Sequence, residues 1–360
     1  MPDSEPLSLV SLREAGGGDS VPPPPPPDEP RPQRSLRRLW WPGAAVAGVT
    51  LLVGAVFVLA PSGRPALGRP RPAVSPSGGP SAARPAPAVV RTEAASGPTA
   101  DAHFAAGACV ALPPTGADRH QTVFLDPGHG GPDPGTIGIT QGGHAVDESA
   151  LTLSTALAAA PLLRGQGYRV VLSRTGNSTV GVMGAGDLLS GTFTGQGALK
   201  DLTARAACAN LARAAALVSI HFNAGGSPAN AGMVTIYDDV RPFSARSLRL
   251  ASLLQTEILA SMNGRGWGIP DSGVRNDASA GGTAIDAADR AYGRLVLLGP
   301  AAEGYLATPS EMPGAVVEPL FITDPFEASI AAGAAGQQAI AAGIVRAVDT
   351  FLQPTPSNAP

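Results

Sequence analysis

TVFLDPGHGG, residues 122–131, is the stretch on which the fold class turns. Val123, Phe124 and Leu125 form a continuous apolar run rather than an alternation, the pattern of a strand buried on both faces. Pro127 and Gly128 end the run, and His129 follows in a glycine-rich loop. Counting this run as Thr122–Asp126, six segments read as strands; the others are Tyr168–Ser173, Leu217–His221, Met233–Tyr237, Arg294–Leu298 and Ala315–Leu320. Helical stretches lie between and after them. Ser149–Arg164 carries Leu153 and Leu157 four apart, Asp201–Arg213 follows a loop, and Phe243–Met262 is Leu-rich. Ile340, Ile344, Val348 and Phe351 form one helical stripe near the end. Strands interleaved with helices predict an α/β sandwich, and the crossovers make its sheet parallel or mixed. The domain is expected over residues 106–353, with a short tail at 354–360.

Outward from that domain the composition changes. Residues 1–40 are polar and Pro-rich, with an unbroken run from Pro22 to Pro27. Such a segment cannot bury enough apolar surface to offset its ordering entropy, so a disordered cytoplasmic tail is expected. GAAVAGVTLLVGAVFVLA, residues 43–60, holds one polar residue, Thr50, and no charge. Its length is about the minimum for a bilayer core of ~30 Å. Arg34, Arg37 and Arg38 precede it and Trp40 and Trp41 flank it, which leaves the N-terminus in the cytoplasm by the positive-inside rule. An uncleaved transmembrane anchor over residues 41–60 is therefore expected. A signal peptide cleaved after Ala60 is the rival, disfavoured by Pro61. Residues 61–105, rich in Pro, Ala and Gly, read as an extended linker.

The balance of charges and rings excludes one broad class. A net charge of −3 with only 4% aromatic residues leaves no basic, ring-lined face for nucleic acid. Two cysteines are too few for a thiolate zinc finger or an iron–sulfur cluster. Beyond a membrane, an oxidising compartment favours a bridge between Cys109 and Cys208.

Two of the five histidines, His129 and His221, stand just past strand ends, where ligands gather in open α/β sheets. A catalytic zinc site takes three protein donors and keeps one open position. Two histidines thus leave one donor to find. Asp147 and Glu148 head the Ser149–Arg164 helix, where a carboxylate also simply favours the helix N-terminus, and His144 is a rival four residues from Glu148. Glu318 lies inside the apolar run AVVEPLFITDPFE, residues 315–327, where an ionisable group is costly to bury without a partner. Glu327, further along, reads as a solvated surface charge.

Taken in order, these residues resemble the zinc-dependent N-acetylmuramoyl-L-alanine amidases of the Amidase_3 type, from about Gln121 to Leu352. The matching motifs are Asp126 to Gly131, Glu148 heading a helix, and Gly167–Tyr168 leading to Ser173–Arg174–Thr175. They continue with Leu202, Arg205, Ala209 and Asn210, then Ser219, Ile220, His221 and Asn223, then Val317, Glu318, Phe321, Ile322, Asp324 and Pro325. The resemblance implies a single α/β domain with a twisted, mostly parallel central sheet of about six strands flanked by helices. It implies that His129, Glu148 and His221 bind Zn2+ and that Glu318 is the catalytic acid/base. The helix-heading position selects Glu148 over Asp147, and His144 has no matching position.

The activity implied is hydrolysis of the amide between N-acetylmuramic acid and L-alanine of the stem peptide. Expected partners are peptidoglycan or muropeptides and, through the anchor, a membrane; no nucleic acid is expected, and the chain is expected to be a monomer. No regulatory partner is named by the sequence. The catalytic domain is expected to face the cell wall. Residues 176–200 exceed the family's usual short link and are expected to form a flexible loop near the site. Pro319 stands where the family usually has an aliphatic or polar residue. A silent cell-wall-binding regulator with the same fold, or a zinc hydrolase of another peptidoglycan bond, are the alternatives.

Overall fold

A computed structural model describes residues 104–225, 227, 230–279 and 287–353. The expected tail, anchor, nearly all of the linker and the C-terminal tail lie outside these residues. The chain runs through β1 (Ala108–Leu112), β2 (Thr122–Pro127), β3 (Ile137–Ile139), β4 (Ala145–Asp147), α1 (Glu148–Gly165) and β5 (Arg169–Arg174). It continues through β6 (Leu188–Leu189), β7 (Thr192–Phe193), α2 (Gly195–Leu211), β8 (Ala216–Ile220), β9 (Met233–Tyr237) and α3 (Ser244–Asn263). The last elements are β10 (Asp271–Asn276), α4 (Ala287–Tyr292), β11 (Gly314–Glu318), α5 (Pro325–Ala332) and α6 (Ala334–Leu352).

Seven strands form the central sheet in the order β1-β5-β2-β8-β11-β9-β10. Its interior is parallel: β2 pairs with β5 and β8, and β8 with β11. The β1–β5 and β9–β11 pairs are antiparallel. Every residue of β8 and β11 is buried, which is why these strands read as unbroken apolar runs. On one face, Val123, Leu125, Val218, Ile220 and Val317 pack against α1, α3 and α6. On the other, Phe124, Val171, Leu217 and Val316 pack against α2 and the 295–298 turn. The stripe Ile340, Ile344, Val348 and Phe351 is buried in the first of these layers, each such side chain contributing about 1.5–3 kcal/mol. Among the described residues no single helix is long and apolar enough to cross a membrane.

Several expectations need correction. Arg294–Leu298 is not a strand but a turn, whose Leu295, Val296, Leu297 and Leu298 are buried under the sheet. A run of four apolar residues after an arginine has no periodicity that separates these two fates. The sheet gains β1 and β10 instead as edge strands: β10 is mostly polar, and β1 (ACVAL), apolar throughout, follows directly on the Ala- and Gly-rich residues 105–107. Leu157 is exposed, because the buried face of α1 runs through Leu151, Thr155, Ala156, Ala159 and Leu163. Residues 176–200 are not one irregular loop. Asp201 Oδ1 accepts from Val180 N (2.7 Å) and Gly181 N (3.0 Å), β6 and β7 form a hairpin, and Thr194 caps α2 by accepting from Gly197 N. Cys109 and Cys208 are joined by a disulfide that ties β1 to α2.

Candidate metal centre

The loop after β2 turns through three residues with left-handed backbone: His129 (φ 60°), Gly130 (118°) and Gly131 (63°). Such a conformation in a non-glycine residue costs on the order of 1–3 kcal/mol and persists only when neighbours impose it. Here two buried guanidiniums do so. Arg205 donates from Nη1 to Pro127 O (2.9 Å) and from Nη2 to His129 O (2.7 Å). Arg174 donates to Pro127 O (3.0 Å) and Gly128 O (2.8 Å). Asp126 and Asp201 lie 2.7 and 2.8 Å from Arg205 and neutralise it, so the buried charge is paired. Gly128 is obligatory, since a Cβ there would enter the His221 ring.

Glu148 is the first residue of α1, and both its oxygens are held by backbone. Oε2 accepts from Thr136 N (2.9 Å) and Oε1 from Phe222 N (3.0 Å). His221 directly follows β8. The three side chains converge: His129 Nε2 is 3.0 Å from Glu148 Oε1, His221 Nδ1 is 3.2 Å from the same oxygen, and the two nitrogens are 3.1 Å apart. Donors at ~2.0–2.1 Å around a tetrahedral zinc stand roughly 3.3 Å from one another, so this triangle fits such an ion. His129 Nδ1 is in turn 2.7 Å from Asp133 Oδ2.

Charge reinforces the geometry. Burial alone would lower the His129 pKa, but Glu148 and Asp133 outweigh it and push it up to about 10. Burial opposes ionisation of Glu148, yet His129 and His221 hold its carboxyl well below the usual range. Burial pushes His221 down. The cluster therefore gathers a cation among its own groups, the task a metal ion would take over. Glu318 ends β11, one residue past Val317, whose register partner is Ile220, so it stands beside His221 at the C-terminal end of these two parallel interior strands. Burial, and then the Glu148 charge, push the Glu318 carboxyl well up, and its Oε2 is buried without a hydrogen-bond partner among the described residues. An orphaned acceptor beside a donor triangle fits a centre completed by a metal ion and a proton-bearing reactant.

His144 and Asp147 are exposed and lie outside the triangle. Glu327 is not solvated, as the sequence suggested. It is buried and accepts from Gly232 N (2.8 Å) and Phe321 N (2.6 Å), bracing the loop after Glu318. A second acidic group, Asp238, Asp239 and Asp277, is filled by Arg294 Nη1 at 2.7–3.1 Å. Sequence reasoning missed Asp133; its signal was the four-residue spacing from His129 inside one loop. It saw Arg174 and Arg205 only as motif positions. A cleft of about 370 Å³ opens beside His129 and Glu148, with Pro132 to Thr136 on one wall and Thr192, Phe193 and Thr194 on another.

The Amidase_3 family model, described as N-acetylmuramoyl-L-alanine amidase, matches residues 123–350. The chain belongs to this amidase family. As a member, it is 29% identical over 209 residues to the N-acetylmuramoyl-L-alanine amidase LytC of Bacillus subtilis, covering 58% of this chain and 31% of LytC. It is 30% identical over 257 residues to the N-acetylmuramoyl-L-alanine amidase AmiC of Neisseria meningitidis, covering 65% of this chain and 54% of AmiC. This amidase-family chain thus spans only about a third to a half of those relatives. The crystal structure of an N-acetylmuramoyl-L-alanine amidase from Clostridium difficile 630 matches 66% of this chain and 98% of its own, at 27% identity and a TM-score of 0.45.

Proposed function

We propose that this chain is a peptidoglycan amidase that cleaves the amide between the lactyl group of N-acetylmuramic acid and L-alanine of the stem peptide. The observation that carries the reading is the triangle of His129, Glu148 and His221 with a buried, orphaned Glu318 carboxyl at its side. In this reading His129 Nε2, His221 Nδ1 and Glu148 hold Zn2+, which supplies polarisation of the scissile carbonyl and acidification of a water. Glu318 takes the proton from the water as its oxygen bonds to the carbonyl carbon, and then gives it to the amine nitrogen as the C–N bond breaks. Arg174 and Arg205 keep the first ligand in place through the loop's backbone carbonyls. The domain works outside the cytoplasm as a monomer, held by the anchor at residues 41–60; the Cys109–Cys208 bridge supports an oxidising compartment.

The test is digestion of purified sacculi by the full chain, read by mass spectrometry. Free stem peptides beginning with L-alanine are expected. An undigested wall would leave a silent binding protein, and cleavage elsewhere in the polymer a different hydrolase.

A further inference from the structure

We propose that Asp133 is a positioning residue of the metal centre: it turns His129 Nε2 toward the cation and, through Gly135 and Thr136, locks that ring to Glu148. This rests on reading His129, Glu148 and His221 as ligands. A proton on His129 Nδ1 donated to Asp133 Oδ2 (2.7 Å) leaves the Nε2 lone pair facing the other two donors. A carboxylate behind a ligating imidazole fixes ring and tautomer and raises its basicity.

Asp133 does more than hold one ring. Its second oxygen, Oδ1, accepts from Gly135 N (3.0 Å), and Gly135 fills the gap between two ligands. A Cβ there would stand 2.7 Å from Glu148 Oε2 and 2.8 Å from His129 Cδ2, on a backbone with φ +66°. The next amide, Thr136 N, donates to Glu148 Oε2 (2.9 Å), while Thr136 O accepts from Glu148 N (3.0 Å). Pro134 O accepts from Ser149 N (3.0 Å). Residues 133–136 therefore form a bracket that touches two of the three donors at once, and Asp133 anchors its end.

The rival role is a simple turn cap, which needs only Oδ1. The Asp133 side chain is 28% exposed, so its replacement does not open the core. An amide has one oxygen where the carboxylate uses two, so Asp133→Asn can serve Gly135 N or His129 but not both. The experiment measures zinc affinity of the full chain by chelator competition, with cobalt substitution as a spectroscopic readout. Asp133→Ala should bind zinc about 10–100-fold more weakly. Asp133→Asn should fall in between, and both should alter the cobalt absorption, with the far-UV circular dichroism of the metal-free protein unchanged. Wild-type zinc affinity and cobalt spectrum in both variants would overturn the proposal, as would zinc loss that in both merely follows loss of fold. A wild-type chain that binds no zinc would overturn the ligand assignment and this proposal with it. Zinc binding is read without substrate, so intact sacculi beside tight zinc would sink the amidase reading alone.

Discussion

A carboxyl and an amide at position 318 fill the same space, yet only the carboxyl accepts a proton. Glu318→Gln should therefore keep one zinc per chain while amidase turnover falls by about 10²–10⁴-fold, the usual size of general acid–base help. Elemental analysis beside a sacculus assay checks both halves, and zinc loss would make Glu318 a ligand instead. At this scale the sequence shows the donor residues well, because two histidines past strand ends and a helix-heading glutamate are side-chain signals. It hides Arg174 and Arg205. Their guanidiniums act on the carbonyls of Pro127, Gly128 and His129, and no pattern of side chains announces a backbone acceptor. Glu327 misled for the same reason: its partners are the amides of Gly232 and Phe321.

Among the elements, α2 ties the ligand loop, the 176–200 segment and β1 together. It bears Arg205, which grips the ligand loop, Asp201, which pairs with Arg205 and pins Val180 and Gly181, and Cys208, one turn further on. The Cys109–Cys208 bridge closes a separation of 99 residues. In the chain-entropy account such a loop contributes about 4.7 kcal/mol. The double variant Cys109→Ser/Cys208→Ser should lose stability of that order in urea unfolding, and a loss below about 1 kcal/mol would show that the unfolded chain is not the state the bridge restrains. The buried interior strands are plain in the sequence because burial on both faces demands continuous apolar runs. The edges are not: β1 is apolar throughout but runs on from the Ala- and Gly-rich residues 105–107, β10 is mostly polar, and Arg294–Leu298 imitates a strand while lying against one.

For the whole molecule, a metal that binds only the folded state adds stability by mass action, about 2.7 kcal/mol at a hundredfold excess over Kd. Chelation should thus lower the melting temperature of the wild type but not of His221→Ala, and a wild-type midpoint indifferent to chelator would speak against a resident ion. Asp277 supplies a pH signature away from that centre. Burial, then Asp238, raise its pKa from 3.8 to about 6. A carboxyl raised in the folded state stabilises fully below about pH 4, and that contribution is lost as pH rises through about 6. The difference in unfolding free energy between wild type and Asp277→Asn should drift across that window and be flat above it; a flat difference throughout would rule the shift out. The order of strands also has a history in it. β1, β5 and β2 come from residues 108–174, whereas β8, β11, β9 and β10 come from residues 216–318. A chain emerging N-terminus first presents the strands of one half of its sheet, disulfide partner helix included, before those of the other half have been made. His129 and Glu148 belong to the early half, His221 and Glu318 to the late one, and the seam between them is the register Val123↔Ala216 to Pro127↔Ile220. On the proposed reading, an ion held by these residues is a clasp that can shut only after the two halves have found each other.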